Sequence, residues 1–286
     1  MIVHSRLLFH PILLRSLVAV VDEGGFSRAA RRLSMQQSTV SQHVSRLEEQ
    51  LGVQLLDRRQ ARIGFTEAGL MVEQSVRDIL STYERLGNQL TGRELHGQVR
   101  IGSPEEFAVF RLPRILTAFR NVHPKVEIEV HVAPSEDLLE MFDGDRLDVA
   151  IFERRPGEAR GSLIRQEALR WYGTRSNWPS SAETLPLVLY PEGSPVRDVV
   201  ISACRATGRS WRPAGSSASY LGLRAAVLAG AGITALGASS MPVSIELAPS
   251  SIDLPLLPAI ELAMDLRDQD PTTVALAEAI LAAERD

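Results

Sequence analysis

The sequence is nearly without cysteine. One residue, Cys204, stands in a chain of 286. That excludes a disulfide framework and any zinc site built on thiolates, and it fits a reducing compartment. Cys204 ends the run Val199-Val200-Ile201-Ser202-Ala203, where a small buried apolar side chain is expected. No apolar run reaches the roughly 18 residues that cross a bilayer, so no membrane partner is expected. Nor do the first residues read as a secretory signal. Arg6, His10 and Arg15 interrupt their apolar stretch, and no small-residue cleavage site follows. The expected location is the cytoplasm. Chemistry-bearing motifs are missing too. His4, His10, His43, His96, His123 and His131 are scattered without metal-ligand spacing. There is no nucleophile elbow, phosphate-binding glycine loop or dinucleotide fingerprint, and Gly230-Ala231-Gly232 is too short to be a nucleotide motif. Neither an enzyme, a metal nor a cofactor is expected.

What is present is enough apolar material, 44% of the chain, for true cores, and a length suited to two domains. Charge divides the chain. Residues 1–66 hold nine arginines against five acids, a net +4 inside a chain whose total is −4. A basic head on an acidic body suggests a surface that faces phosphates. Leu13, Leu14, Leu17, Val18 and Val21 recur at helical spacing over about residues 11–22. Gly24-Gly25 stops that helix, and Ser27 is the expected cap of a second, whose Ala29 and Ala30 allow close packing. A third helix follows from Gln36 to Leu51, closed by Gly52. On it Val40, Val44, Leu47 and Leu51 form one apolar stripe. Ser38, Gln42 and Ser45 occupy the opposite face, with Ser41 and Arg46 on its flanks. Small hydroxyls allow close approach to phosphates, and Gln or Arg reads base edges in a major groove; the alternative is an ordinary solvated face. Arg58, Arg59 and Arg62 then cluster in a short basic hairpin over residues 55–65, as in a wing. Helix, turn, helix and basic hairpin in this order is a winged helix-turn-helix.

Four stretches carry a resemblance. They run from Leu17 through Gly25-Phe26-Ser27-Arg28-Ala29-Ala30-Arg31-Arg32-Leu33, then Gln37-Ser38-Thr39-Val40-Ser41-Gln42, then Leu47-Glu48-Glu49-Gln50-Leu51-Gly52, and Phe65-Thr66-Glu67-Ala68-Gly69. Together they resemble the N-terminal region of LysR-type transcriptional regulators, without a gap. The resemblance implies that Gln37, Ser38, Ser41 and Gln42, with Thr39 among them, lie on the groove-facing helix, and that Arg58 is the wing arginine. Where the family carries Thr before the Gln, this chain has Gln36, which leaves Ser34 as the candidate cap.

Thr66 is the expected cap of a long helix. Beyond it Val72, Val76, Ile79, Tyr83, Leu86 and Leu90 are spaced alternately by four and three residues, a heptad seam. The alternative is a helix packed on its own domain. An intermolecular seam is expected, since a helix that bridges two domains has little core of its own. The resemblance also implies dimerisation there, which supplies two recognition helices for an inverted-repeat site in double-stranded DNA. Thr91 to Gly97, with two glycines, reads as the boundary.

The acidic remainder alternates strands (from Val99, Val126, Leu147, Leu187 and Ile260) with helices (from Leu112, Leu138, Ser194-Pro195, Leu221 and Thr272). That pattern implies a parallel α/β sheet. The resemblance, carried by Leu112-Pro113, His123-Pro124, Gly144 to Ile151 and Leu228 to Ile233, implies a two-lobed effector domain similar to periplasmic binding proteins. The expected organisation is 1–66 for the DNA-binding head, 67–91 for the linker helix and 97–286 for the effector domain. Its first lobe is expected at about 97–162 with 259–286, and its second at about 163–258. Effectors bind outside strand carboxyl ends, at helix N-termini. Ser103, Glu105, Ser135, Ser194 and Ser219 lie at such places, and the resemblance puts Ser103 and Ser135 near the cleft. Each serine reads equally as a plain helix cap. Glu105 and Glu106 lie where many relatives would receive an anion, which two carboxylates oppose unless they point outward. The functional expectation is a DNA-binding regulator, dimeric or tetrameric, that responds to a small molecule and meets RNA polymerase. A solute-binding module and an effector-independent regulator are the alternatives.

Overall fold

The structure is a computed structural model that describes residues 10–59, 62–90, 94–176, 178–179, 184–240 and 244–284. Gln60 and Ala61 of the expected wing tip, Thr91, Gly92 and Arg93 of the expected boundary, and residues 1–9 and 285–286 of the expected domains lie outside them. The chain forms two compact units, one made of the residues up to His96 with Thr117–Lys125 and the segment from Ala282, the other of Gly97–Leu116 with Val126–Leu281.

The first unit opens with α1 (Pro11–Asp22), whose N-terminus is capped by the His10 ring. Helix α2 (Phe26–Arg32) starts from Gly25, so Ser27 sits inside its first turn and caps nothing. Gly24 at φ +63° makes the tight turn that replaces a side-chain cap. Helix α3 (Gln37–Leu51) likewise has no side-chain cap. Ser34, expected in that role, stands at φ 54° just past α2, its N–H donating to Arg31 O. Gly52 ends α3 in the left-handed region, as expected. Val40, Val44 and Leu47 are fully buried, with Leu51 packed beside them. Strands β1 (Leu56–Asp57) and β2 (Gly64–Phe65) pair antiparallel. Helix α4 (Glu67–Leu90) spans about 36 Å at 1.5 Å per residue. Thr66 caps it, accepting from Gly69 N–H at 3.1 Å. Gly69 itself permits a close approach, because a Cβ there would collide with Leu55 O.

The chain beyond His96, most of it the second unit, runs β3 (Gly97–Ser103), α5 (Glu105–Phe110), α6 (Leu112–Val122), β4 (Val126–Val132), α7 (Ser135–Asp143), β5 (Val149–Arg154), β6 (Ser162–Glu167), β7 (Leu169–Gly173) and β8 (Leu185–Leu189). It continues with α8 (Pro195–Ala206), β9 (Trp211–Ser216), α9 (Tyr220–Leu228), β10 (Thr234–Gly237), β11 (Glu246–Leu247), β12 (Ile260–Leu266) and α10 (Pro271–Glu284). Its main sheet has the order β4-β3-β5-β12-β6. Strand β3 lies parallel to β4 and β5, but β12 returns antiparallel between β5 and β6. The sheet is therefore mixed, not parallel throughout, because the chain re-enters this lobe from the other one. A second lobe holds β8 parallel to β9, and β7 antiparallel between β10 and β11. Strand β6 belongs to the first lobe, so the first crossing comes at Ala168 and not near residue 162. Cys204 is buried among Leu185, Leu187 and Val200, and burial pushes its thiol up, as a core residue requires.

Candidate nucleic-acid interface and inter-lobe cleft

Helix α3 presents Gln37, Ser38, Gln42, Ser45 and Arg46 to solvent, with Thr39 and Ser41 half-buried beside them. Among the described residues no side chain caps its N-terminus, where the helix dipole favours a phosphate. Its opposite face is locked into the core, and the His43 ring meets the buried Ser16 hydroxyl of α1 at 2.9 Å. The helix is thus a rigid platform for the polar face.

Glu48, to which the sequence assigns no role of its own, joins α3 to the hairpin. Its carboxylate accepts from Leu55 N–H at 2.8 Å, Leu56 N–H at 3.1 Å and the Arg58 guanidinium at 3.0 Å. Arg58 also lies over the Phe26 ring, 5.3 Å from its centroid. Arg59 forks onto Asp57 with two 2.8 Å bonds and stays 88% exposed. The Arg59 guanidinium holds the Asp57 carboxyl down at about 2. Arg62 reaches back to Asp22 O at 3.4 Å. All three wing arginines are thus tethered, not loose. The signal in the sequence is an acid, Glu48, on α3 beside the buried Leu47, ten residues before the wing's Arg58.

The expected seam on α4 divides. Val76 is only 7% exposed inside the head's own core, with Val72 and Leu80 packed against the same cluster. Val72 and Val76 are corrected accordingly: α1 and the hairpin already cover them. Ile79, Tyr83, Leu86 and Leu90 are 49%, 56%, 52% and 79% exposed, and they form one stripe along the later turns.

In the second unit the expected serines are structural. Ser103 is wholly buried, and its hydroxyl donates to Pro104 O at 3.1 Å, so the placement of Ser103 at a ligand surface is corrected. Ser135 accepts from Glu153 N–H at 3.0 Å, Ser194 from Arg197 N–H at 3.5 Å, and Ser219 from Gly222 N–H at 3.3 Å. The glutamates point inward, across the cleft. Glu105 accepts from Tyr220 N–H at 2.7 Å and from the Ser219 hydroxyl at 3.2 Å, at the start of α9. Glu106 accepts from the Tyr190 hydroxyl at 2.8 Å and from the Ser240 hydroxyl. A cavity of about 30 Å³ lies beside them, bounded by Glu106, Glu153, Glu167, Arg111, Arg165 and Ser239. Burial pushes Glu106 up, and burial with the neighbouring Glu106 and Glu167 pushes Glu153 up to about 8. Sequence reading missed Glu153, whose signal is a charge directly after the buried run Val149-Ala150-Ile151-Phe152. Among the described residues no group of three His, Cys, Asp or Glu side chains is placed to hold a metal, and no helix is long and apolar enough to cross a membrane.

Two family models match the chain. One, described as the bacterial regulatory helix-turn-helix protein of the lysR family, covers residues 12–70. The other, the LysR substrate binding domain, covers residues 92–279. The regulator DgdR of Burkholderia cepacia is 30% identical over 272 residues, which is 94% of this chain and 92% of DgdR. Among solved structures, full-length BenM aligns with a TM-score of 0.53 at 24% identity over 95% of both chains. HinK from Pseudomonas aeruginosa aligns at 0.53 and 20% identity, over 96% of this chain and 97% of its own. At such identities these two establish the shared fold.

Proposed function

The chain belongs to the LysR family of DNA-binding transcriptional regulators, and from that premise we propose that it works as a cytoplasmic homo-oligomer whose grip on an inverted-repeat operator is set by a small molecule held between the lobes of its second unit. It is a regulator and not an enzyme. In the proposed arrangement residues 1–66 form the head, 67–91 the linker and 97–286 the effector domain. Gln37, Ser38, Thr39, Ser41, Gln42, Ser45 and Arg46 enter the major groove, and Arg58, Arg59 and Arg62 hold flanking phosphates. Ile79, Tyr83, Leu86 and Leu90 meet the same stripe of a second copy. RNA polymerase is the further partner of a regulator that acts at a promoter.

The observation that carries this reading is the α3 platform. One face is fully buried in the head, and the other is an unbroken polar surface of the residue types that contact phosphates and bases. A gel-shift titration on a promoter fragment tests it. Affinity is expected to fall by about 10³ or more between about 50 and 200 mM salt if about six phosphates are contacted. A complex indifferent to salt, or no complex, would sink it.

A further inference from the structure

Helix N-termini attract anions, because their first N–H groups are unpaired and the dipole is positive there. In the second lobe that place, the start of α9, is already filled by the chain's own Glu105. An anionic ligand would have to displace a carboxylate that carries two hydrogen bonds. The cavity beyond it is walled by three more carboxylates. Glu167 is 8% exposed and held by Arg165 at 2.5 Å and by the Ser239 N–H and hydroxyl at 2.8 and 2.9 Å. Glu106 is held by Tyr190 and Ser240. Arg111 lines the cavity as well. Glu153 stands apart. Its backbone N–H donates to Ser135, but no described residue donates a hydrogen bond to its carboxylate. Every resolved influence on it, namely burial and the like charges of Glu106 and Glu167, disfavours the ion. Glu153 is half-buried in the cavity wall, and a carboxylate left open in a cleft marks a place where something binds.

We propose that the cleft receives a cationic effector, and that Glu153 takes its ammonium or guanidinium group while Glu106 and Glu167 complete an acidic wall. This rests on reading the second unit as the effector-binding domain. The cavity of about 30 Å³ admits one small group, so it takes the charged end of the molecule, with the body directed along the cleft. An anion is opposed by Glu105, which already fills the N-terminus of α9.

The test is a thermal-shift and calorimetric screen of the full chain. The probes are putrescine, agmatine, arginine and lysine, their acetylated neutral counterparts, benzoate and succinate, and potassium chloride. At least one amine or guanidine is expected to raise the melting midpoint, while its neutral counterpart, the carboxylates and potassium do not. Glu153→Gln is expected to weaken that ligand about tenfold or more, and Glu153→Asp to retain most of the affinity. Affinity should rise about tenfold per pH unit below about pH 8 and level off above it, with release of a proton on binding near neutrality. Stabilisation by carboxylates alone, equal stabilisation by potassium, unchanged affinity in Glu153→Gln, or no response to any amine would each overturn the proposal. DNA binding by the same preparation is measured in parallel. If it persists while the charge preference fails, only this inference falls; if it is absent, the regulator reading falls instead.

Discussion

Glu48 shows how one side chain can set the geometry of a whole interface. It satisfies two backbone N–H groups and steadies Arg58, so it holds the hairpin against the recognition helix. Glu48→Ala is expected to cost about 1–3 kcal/mol by leaving those donors without a partner, read from denaturant unfolding, and to weaken DNA binding as Arg58 loses its support. Gln42→Ala should weaken specific binding more than non-specific binding, whereas Arg58→Ala should weaken both; equal losses would contradict the assigned roles. Glu153 makes the opposite use of a carboxylate. Its pKa is raised from 4.5 to about 8, so the folded state keeps a proton that the unfolded chain gives up between those values. Stability is therefore expected to fall as pH rises through that window, by on the order of 1 kcal/mol per pH unit where the slope is steepest. Glu153→Gln should flatten the profile, and a slope unchanged in that variant would refute the assignment. Neither glutamate was legible from spacing alone. Glu48 lies only seven and eight residues from the backbone it supports, but a turn intervenes. The cleft carboxylates have partners 84, 115 and 134 residues away.

At the scale of elements, helices announced themselves and their surroundings did not. The period of α3 separated its buried and polar faces correctly, because one face of a short helix must pack on its own domain. On α4 the same kind of evidence was ambiguous. A stripe that repeats every three or four residues looks identical whether it covers the molecule's own core or a partner's. The structure resolves it by length: α4 outruns the head, so its early stripe is covered and its later stripe is bare. Two substitutions separate those roles. Ile79→Asp is expected to yield a folded monomer in sedimentation, and Val76→Asp to destabilise the head by several kcal/mol through an unpaired buried charge. A dimer that survives Ile79→Asp places the contact elsewhere. The misassigned caps, Ser27 and Ser34, have a common cause. Backbone in the left-handed region, at Gly24 and at Ser34 itself, turned the chain where a hydroxyl was expected to do so.

At the scale of the whole molecule, the division of charge was the most legible feature, since it needs only a count along the chain. The two-lobed sheet was legible as alternating strands and helices, but the direction of β12 was not. A strand that returns from another lobe carries no local mark of its orientation. The head, by contrast, does not end where its composition changes. Val72, Val76 and Leu80 continue its core well past Thr66. That has a consequence for building chimaeric regulators. A graft that exchanges DNA-binding specificities by splicing at Thr66 would combine one protein's core with another's lid, and should express poorly. A splice after Leu80 would carry the complete module, and the transplanted head should keep both its solubility and its operator preference.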